Sequence, residues 1–319
     1  MIKISQYLRE HSISFEENAP LNKKTWLKTG GIAALWISPV NKEQLLIVVE
    51  YLTKNNFVFD VIGHTSNIYY LDTCNPCIIV STIKLREYID QPDYIECECG
   101  VPVSSLSRYA VDHGYVGYSG LVNLPGTVGA AICNNSNCFD CSVSEHLIEA
   151  TFFDFDKQCI TIIYPHDLEY THRSSCIKEG RLKGVILSVK LSKLEGDIRE
   201  EQSKAIKATT IRHQTQEPPA FTLGSVYASF TKKKCLQNTI ISYYESLLRR
   251  LHLNKPERLI VARLFIFGFI DIIPFVSKKN INTFIWLKNR QDRSAKFERY
   301  KLFMNRAFEN PTLEIEIRG

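Results

Sequence analysis

The sequence contains no G-x-G-x-x-G run and no G-x-x-x-x-G-K-[ST] run, so neither a Rossmann fingerprint nor a P-loop is present. It has no internal repeat and no low-complexity tract, and its 45% hydrophobic content excludes global disorder. Net charge is only +5, from 39 Lys+Arg against 34 Asp+Glu, too slight by itself to mark a nucleic-acid protein. The segment from Met1 to Tyr7 has no apolar signal core and no small-residue cleavage site. A cytoplasmic location is therefore expected, and disulfides are not. Glycine is scarce and unevenly placed: of fifteen, nine fall between Gly30 and Gly129, five of them from Gly114 on.

What is present divides into two domains, the number that 319 residues allow. Helical spacing is read at 43–55, 104–113, 238–251 and 294–308. Strands are read at 57–62, 78–82, 184–191 and 313–317, with a hairpin at 149–155 and 158–164 turning on Asp156-Lys157. A capping box at Asp197-Ile-Arg-Glu200 opens a charged helix, and the domain boundary is placed near Gly196. The apolar run Leu259–Val276 reaches the minimum length of a membrane span, but Arg263, Asp271 and Pro274 interrupt it, so it is read as buried core. The basic stretch 287–306 carries Phe297, Tyr300, Met304 and, just past it, Phe308 at helical spacing, the pattern of a packed helix with a wet face. Interleaved strands and helices without a regular beat give the class α+β.

Cys74-x-x-Cys77 and Cys138-x-x-Cys141, with Cys97-x-Cys99 between them, have the local look of zinc half-sites. Their separation of more than sixty residues argues instead for small buried thiols, and no metal is expected.

Three glycine-bearing segments carry the chemistry: Pro20–Ala33, with Thr29-Gly30-Gly31; Val61–Asp72, with Gly63-His64-Thr65-Ser66-Asn67; and Gly117–Asn135, with Pro125-Gly126-Thr127-Val128-Gly129. Glycines bare backbone N–H groups and turn hydroxyls add donors, together a nest for an anion such as a pyrophosphate. A helix starting after Thr127 would favour phosphate further.

These segments resemble, in order and spacing, those of the UDP-N-acetylenolpyruvoylglucosamine reductases, whose wording is close to P-L-x-x-x-T-x-x-x-x-G-G-x-A, G-x-G-S-N-L-L and I-P-G-T-V-G-G-A-x-x-x-N. The second half carries thinner echoes in His172-Arg173-Ser174-Ser175, Gly224-Ser225-Val226-Tyr227 and Leu313-Glu314-Ile315-Glu316-Ile317-Arg318. The resemblance implies a two-lobed FAD-binding domain of the vanillyl-alcohol-oxidase type over residues 1–195 and a smaller α+β substrate domain over 196–319. It implies non-covalent FAD held by Thr29, Gly30, Gly31, Gly63, His64, Thr65, Ser66, Asn67, Pro125, Gly126, Thr127, Gly129 and Asn135. It further implies NADPH as co-substrate, a UDP-sugar as substrate, no nucleic acid, no membrane span, and a monomer or weak oligomer. The catalytic set carried over is Arg173 for the substrate carboxylate, Ser225 as proton donor, and Glu316 as a buried, neutral partner of the enolate.

The sequence departs from that pattern at Thr65, where the family has its second glycine, and at Asn137-Cys138-Phe139-Asp140, where Gly-Ala-Tyr-Gly is common. Ala228-Ser229 follow the serine turn in place of Lys-Asn, and Thr215 stands where a lysine is expected. Two other readings stay open: a same-fold flavoprotein acting on another substrate of a polysaccharide pathway, and a non-catalytic sugar-nucleotide-binding relative.

Overall fold

A computed structural model describes residues 2–287 and 292–319. Of the basic stretch 287–306, residues 288–291 lie outside this range. The chain forms two compact units: residues 1–66 and 72–210 with Gly319, and residues 67–71 with 211–318. Against the division read near Gly196, the contacts keep the helix Ile198–Thr215 with the first unit as far as Thr210 and assign a short internal segment to the second.

The first unit holds two sheets. In one, Ser14–Pro20 pairs antiparallel with Ile32–Ser38, which runs parallel to Ile78–Ser81, itself parallel to Asp60–Ile62. All four residues of Ile78–Ser81 are buried, as expected for a parallel strand covered on both faces. The helix Lys42–Lys54 links two of these strands; Asn41 caps it by accepting a hydrogen bond from the Gln44 N–H at 2.9 Å. Its Leu45, Val48, Val49 and Leu52 recur at helical spacing and are buried. The strand read at 57–62 is confined to Asp60–Ile62.

The other sheet is antiparallel, in the order Cys159–Ile163, Leu147–Asp154, Gly184–Ser192, Tyr94–Glu98, Tyr88–Asp90. The expected hairpin is there. Asp154 fixes its turn by accepting from the N–H groups of Asp156 and Lys157, both at 2.9 Å. The strand expected over 184–191 is Gly184–Ser192, a central strand with five consecutive buried residues. At Asp197 only half of the capping box forms: Glu200 N–H donates to the Asp197 carboxylate, while the Glu200 side chain pairs with Lys204 at 2.8 Å.

In the second unit Ile68–Tyr70 runs parallel to Glu316–Arg318, and Tyr227–Lys232 pairs antiparallel with Phe308–Leu313. The closing strand read at 313–317 is thus two strands broken at Glu314-Ile315. Of its helices Leu236–Arg250, Pro256–Ile266 and Arg293–Ala307, the last contributes Phe297 and Tyr300 to an aromatic core. There Phe284 lies 4.8 Å from Trp286 and 5.1 Å from Phe297, ring centre to ring centre. The run 259–276 folds into a helix and a 3-10 turn that bury Leu264, Phe269, Ile272 and Phe275, as core. Phe297, Tyr300, Met304 and Phe308 are buried too. Among the described residues no helix is long and apolar enough to cross a membrane. The observed class is α+β, with two units.

Candidate functional site

The three glycine segments meet within the first unit. The Trp26 N–H donates to Thr65 Oγ1 at 2.8 Å, joining the first to the second. A Cβ on Gly63 would lie 2.3 Å from Thr127 Oγ1, joining the second to the third; only glycine allows that approach. His64 hydrogen-bonds the Gly126 carbonyl, yet burial, then the positive field of Arg86, hold its imidazole below the ordinary histidine value. Ser66 Oγ lies 3.3 Å from where a Cβ of Gly126 would stand.

Within this cradle several donors are uncommitted. Among the described residues the backbone N–H groups of His64, Thr65 and Ser66 donate to no protein atom. The Thr29 hydroxyl is buried without a partner, although its backbone is held by two hydrogen bonds with Thr25 Oγ1. Gly30 (φ 102°) and Gly126 (φ 123°) adopt conformations that favour glycine. Bare N–H groups, an orphaned hydroxyl and close backbone approach fit a phosphorylated cofactor.

Other expected contacts have different work. The Gly30 N–H donates to Asp72 Oδ1 at 3.3 Å and the Gly31 N–H to the Cys74 carbonyl at 3.1 Å. Gly129 donates to the Cys99 carbonyl at 2.8 Å, and a Cβ there would come within 2.8 Å of Cys99 Cβ. Its smallness lets the helix Val128–Cys133 pack on that residue. Asn67 belongs to the second unit, where its side-chain amide donates to the Glu314 carbonyl and its own carbonyl accepts from Glu316 N–H. Pro125 is half-buried and leads into the Gly126 turn.

Among the described residues with positive φ, Thr65 is the β-branched one. Its φ is +55°, the left-handed region that a β-branched residue enters only at a cost. The backbone holds a geometry that suits glycine, and the threonine hydroxyl is anchored by Trp26.

A second feature of the same unit lies around Arg173. Arg173 Nη1 donates to the Asn137 carbonyl at 2.9 Å. Asn135 bridges its neighbours, donating to the Thr171 carbonyl at 2.8 Å and accepting from the Ser144 hydroxyl at 2.6 Å. Ser175 Oγ donates to the Cys133 carbonyl. A cavity of about 570 Å³ is lined here by Asn135, Asn137, Asp140, Ser144, Glu145 and Tyr170 among others. The Tyr170 hydroxyl is buried and unpartnered. Sequence reading missed Tyr170, although it stands three residues before Arg173. It also missed Asp72, whose carboxylate holds Gly30. His172 is exposed.

In the second unit Ser225 follows Gly224 (φ 81°). Its turn is fixed by Asn282, whose carbonyl accepts from Val226 N–H and whose side chain exchanges two hydrogen bonds with the Tyr227 backbone at 2.9 and 2.7 Å. Glu316 differs from the expected buried, neutral acid: it is half-buried and paired with Arg318 at 2.8 Å, because both point to one side of a strand two residues apart. The cysteine pairs are scattered: Cys74, Cys97 and Cys99 are buried, Cys77 is exposed, and burial pushes the Cys97 and Cys99 thiols well up. Among the described residues no cluster of three or more His, Cys, Asp or Glu could hold a metal.

Residues 33–161 match the family described as FAD binding domain. The chain is 28% identical over 181 residues to the UDP-N-acetylenolpyruvoylglucosamine reductase of Caldicellulosiruptor saccharolyticus, spanning 57% of this chain and 58% of that protein. It is 27% identical over 229 residues to the enzyme of the same name from Caldicellulosiruptor bescii, spanning 71% and 72%. The crystal structure of UDP-N-acetylenolpyruvylglucosamine reductase from Thermus caldophilus superposes with a TM-score of 0.66 at 16% identity, covering 96% of this chain and 99% of that one. The matched region is similar to an FAD-binding domain, and the fold is the one seen in the Thermus caldophilus structure. Over these spans the chain is similar to the UDP-N-acetylenolpyruvoylglucosamine reductases.

Proposed function

We propose that this protein reduces the enolpyruvyl group of UDP-N-acetylglucosamine enolpyruvate with NADPH, giving UDP-N-acetylmuramate for peptidoglycan synthesis in the cytoplasm. The observation that carries the reading is the convergence of the three glycine segments, with uncommitted N–H groups and the orphaned Thr29 hydroxyl. The backbone of His64, Thr65, Ser66 and Gly126, with the Thr29 hydroxyl, would hold FAD; Pro125 and Thr127 support the turn, and Gly129 seats the helix behind it.

When bound, FAD supplies the passage of hydride from NADPH to the β-carbon of the enolpyruvyl ether. Arg173, permanently charged and forked, would bind the carboxylate on which negative charge develops. Ser225 would then deliver a proton to the α-carbon, so that one hydride and one proton saturate the double bond. Ser225 is far too weak an acid to ionise alone, so its proton must leave together with charge development on the substrate. Glu316 would approach the same charge only after breaking with Arg318 or sharing a proton, since an ionised carboxylate repels an enolate.

A second reading, another substrate of a polysaccharide pathway, draws on the cavity beside Arg173, lined by Asn137 and Asp140 where glycine is common in the family. The test is direct. The purified protein should be yellow, release FAD on denaturation, bleach with NADPH under anaerobic conditions, and regain colour when the enolpyruvyl UDP-sugar is added. Bleaching without recovery would move the substrate to the second reading; a colourless protein that FAD does not reconstitute would end both.

A further inference from the structure

The helix Leu236–Arg250 presents two apolar faces. Ile241 and Leu248 are buried in the second unit. A separate stripe of Leu236, Ile240, Tyr243, Tyr244, Leu247 and Leu251 is open to solvent, with Tyr243 76%, Leu236 73% and Leu247 53% exposed. At 100° per residue these six positions fall within an arc of about 100°, a continuous band roughly 22 Å long on the side the core does not use. Single exposed apolar residues are ordinary, but an unbroken band on one helix is not.

Charge surrounds the band. Between Lys232 and Arg258 the sequence has seven Lys or Arg and two Glu. Removing these from the totals of 39 and 34 leaves 32 of each sign, so this one segment carries the whole +5 of the chain. Of its two acids, Glu245 is tied to Arg249 at 2.7 Å and Glu257 to Lys278 at 2.8 Å. Lys234 precedes the helix and Arg250 closes it, so both ends are cationic. Two copies packed through this face in antiparallel fashion would bring Lys234 of each against Arg250 of the other, a like-charge contact.

We infer that this face docks on an anionic lipid bilayer, the helix lying in the plane of the headgroups with Leu236, Ile240, Leu247 and Leu251 in the acyl boundary and Lys234 and Arg250 among the headgroups. Long apolar residues framed by lysine and arginine suit an interfacial helix. The two exposed tyrosines suit the same depth, ring in the apolar zone and hydroxyl in water. An anionic leaflet attracts such a cationic segment and a zwitterionic one does not.

The full-length protein is to be sedimented with vesicles of equal parts phosphatidylglycerol and phosphatidylcholine, and with pure phosphatidylcholine vesicles. Partitioning should be at least tenfold greater on the anionic vesicles and fall steeply at ~1 M salt, where the screening length shrinks to ~3 Å. The double change Lys234→Ala, Arg250→Ala should weaken it about thirtyfold, as expected for two basic contacts. Tyr243→Ser with Leu247→Ser should do the same through the apolar band; both residues are exposed, and far-UV circular dichroism checks that the helix persists. Equal binding to the two kinds of vesicle, no binding to either, or unchanged binding by both variants would overturn the inference. So would a concentration-dependent dimer that Tyr243→Ser with Leu247→Ser converts to monomer, which would assign the face to a second copy.

Discussion

Thr65 Oγ1 accepts a hydrogen bond from the Trp26 N–H at 2.8 Å while the Thr65 backbone sits at φ +55°. The bond and the strain oppose one another: the first anchors the glycine-like turn, the second taxes it. Thr65→Val keeps the branched shape and the strained φ but removes the acceptor of the Trp26 N–H bond. It should destabilise the protein by about 1–3 kcal/mol, read from denaturant unfolding. Thr65→Gly loses the same bond but relieves the strain, and should lie within about 1 kcal/mol of wild type. Equal losses in the two variants would show that the φ carries no strain.

Gly63→Ala places a methyl group 2.3 Å from Thr127 Oγ1, inside a buried contact. Overpacking of this kind costs about 1–3 kcal/mol, and because the clash lies within the cradle we expect FAD affinity to drop about tenfold or more. Adding Thr127→Ala removes the offending Oγ1 and Cγ2 and should restore much of the loss, as measured by flavin fluorescence titration. Absence of any rescue would place the damage elsewhere.

Ser225→Ala should leave reduction of bound flavin by NADPH unchanged in stopped-flow absorbance and suppress the second half-reaction by about a hundredfold or more, the range for a positioned proton donor. If the second half-reaction survives, Ser225 is not the donor.

Asp90 gathers three donors, accepting from Tyr109 and Tyr115 hydroxyls and from Lys193 at 2.8, 2.7 and 2.6 Å. Burial pushes its carboxyl up, but the hydrogen bonds from Lys193, Tyr115 and Tyr109 outweigh it and hold the group below the ordinary carboxylate range. A depressed value in the folded state contributes stability that is full above the unfolded carboxylate value near ~4 and fades as pH falls through the folded one. Asp90→Asn should therefore lower stability at pH 7 by about 1–3 kcal/mol and flatten its decline below pH ~4. Parallel acid-unfolding curves for the two proteins would contradict this.

The cradle was legible in the sequence because its constraints are local in kind: Gly63 and Gly126 stand where side chains would collide or φ is positive, and such positions select glycine. Thr65 was legible as a departure, though its bond to Trp26, 39 residues away, was not. Periodicity marked 238–251 as an amphipathic helix but could not separate Ile241, which faces the core, from Leu247, which faces solvent. The break in the final strand was hidden because alternation continues through Glu314-Ile315, while the backbone there changes partner from Tyr227–Lys232 to Ile68–Tyr70. Glu316 was misjudged as buried because its partner is set by pleat geometry, with Arg318 two residues on along the same side.

The pairing of Ile68–Tyr70 with Glu316–Arg318 has a consequence for how the protein is made. Asn67, next in sequence to Ser66, binds Glu314 across 247 residues of sequence. During synthesis the short segment 67–71 leaves the ribosome long before its partner strand exists, so the last step of folding must seat a strand beside residues already translated. Long-range closure of this kind is slow and exposes unpaired backbone meanwhile. A fragment cut at the apparent boundary would remain in that waiting condition permanently, so the flavin-binding half is best dissected by point changes and not by truncation.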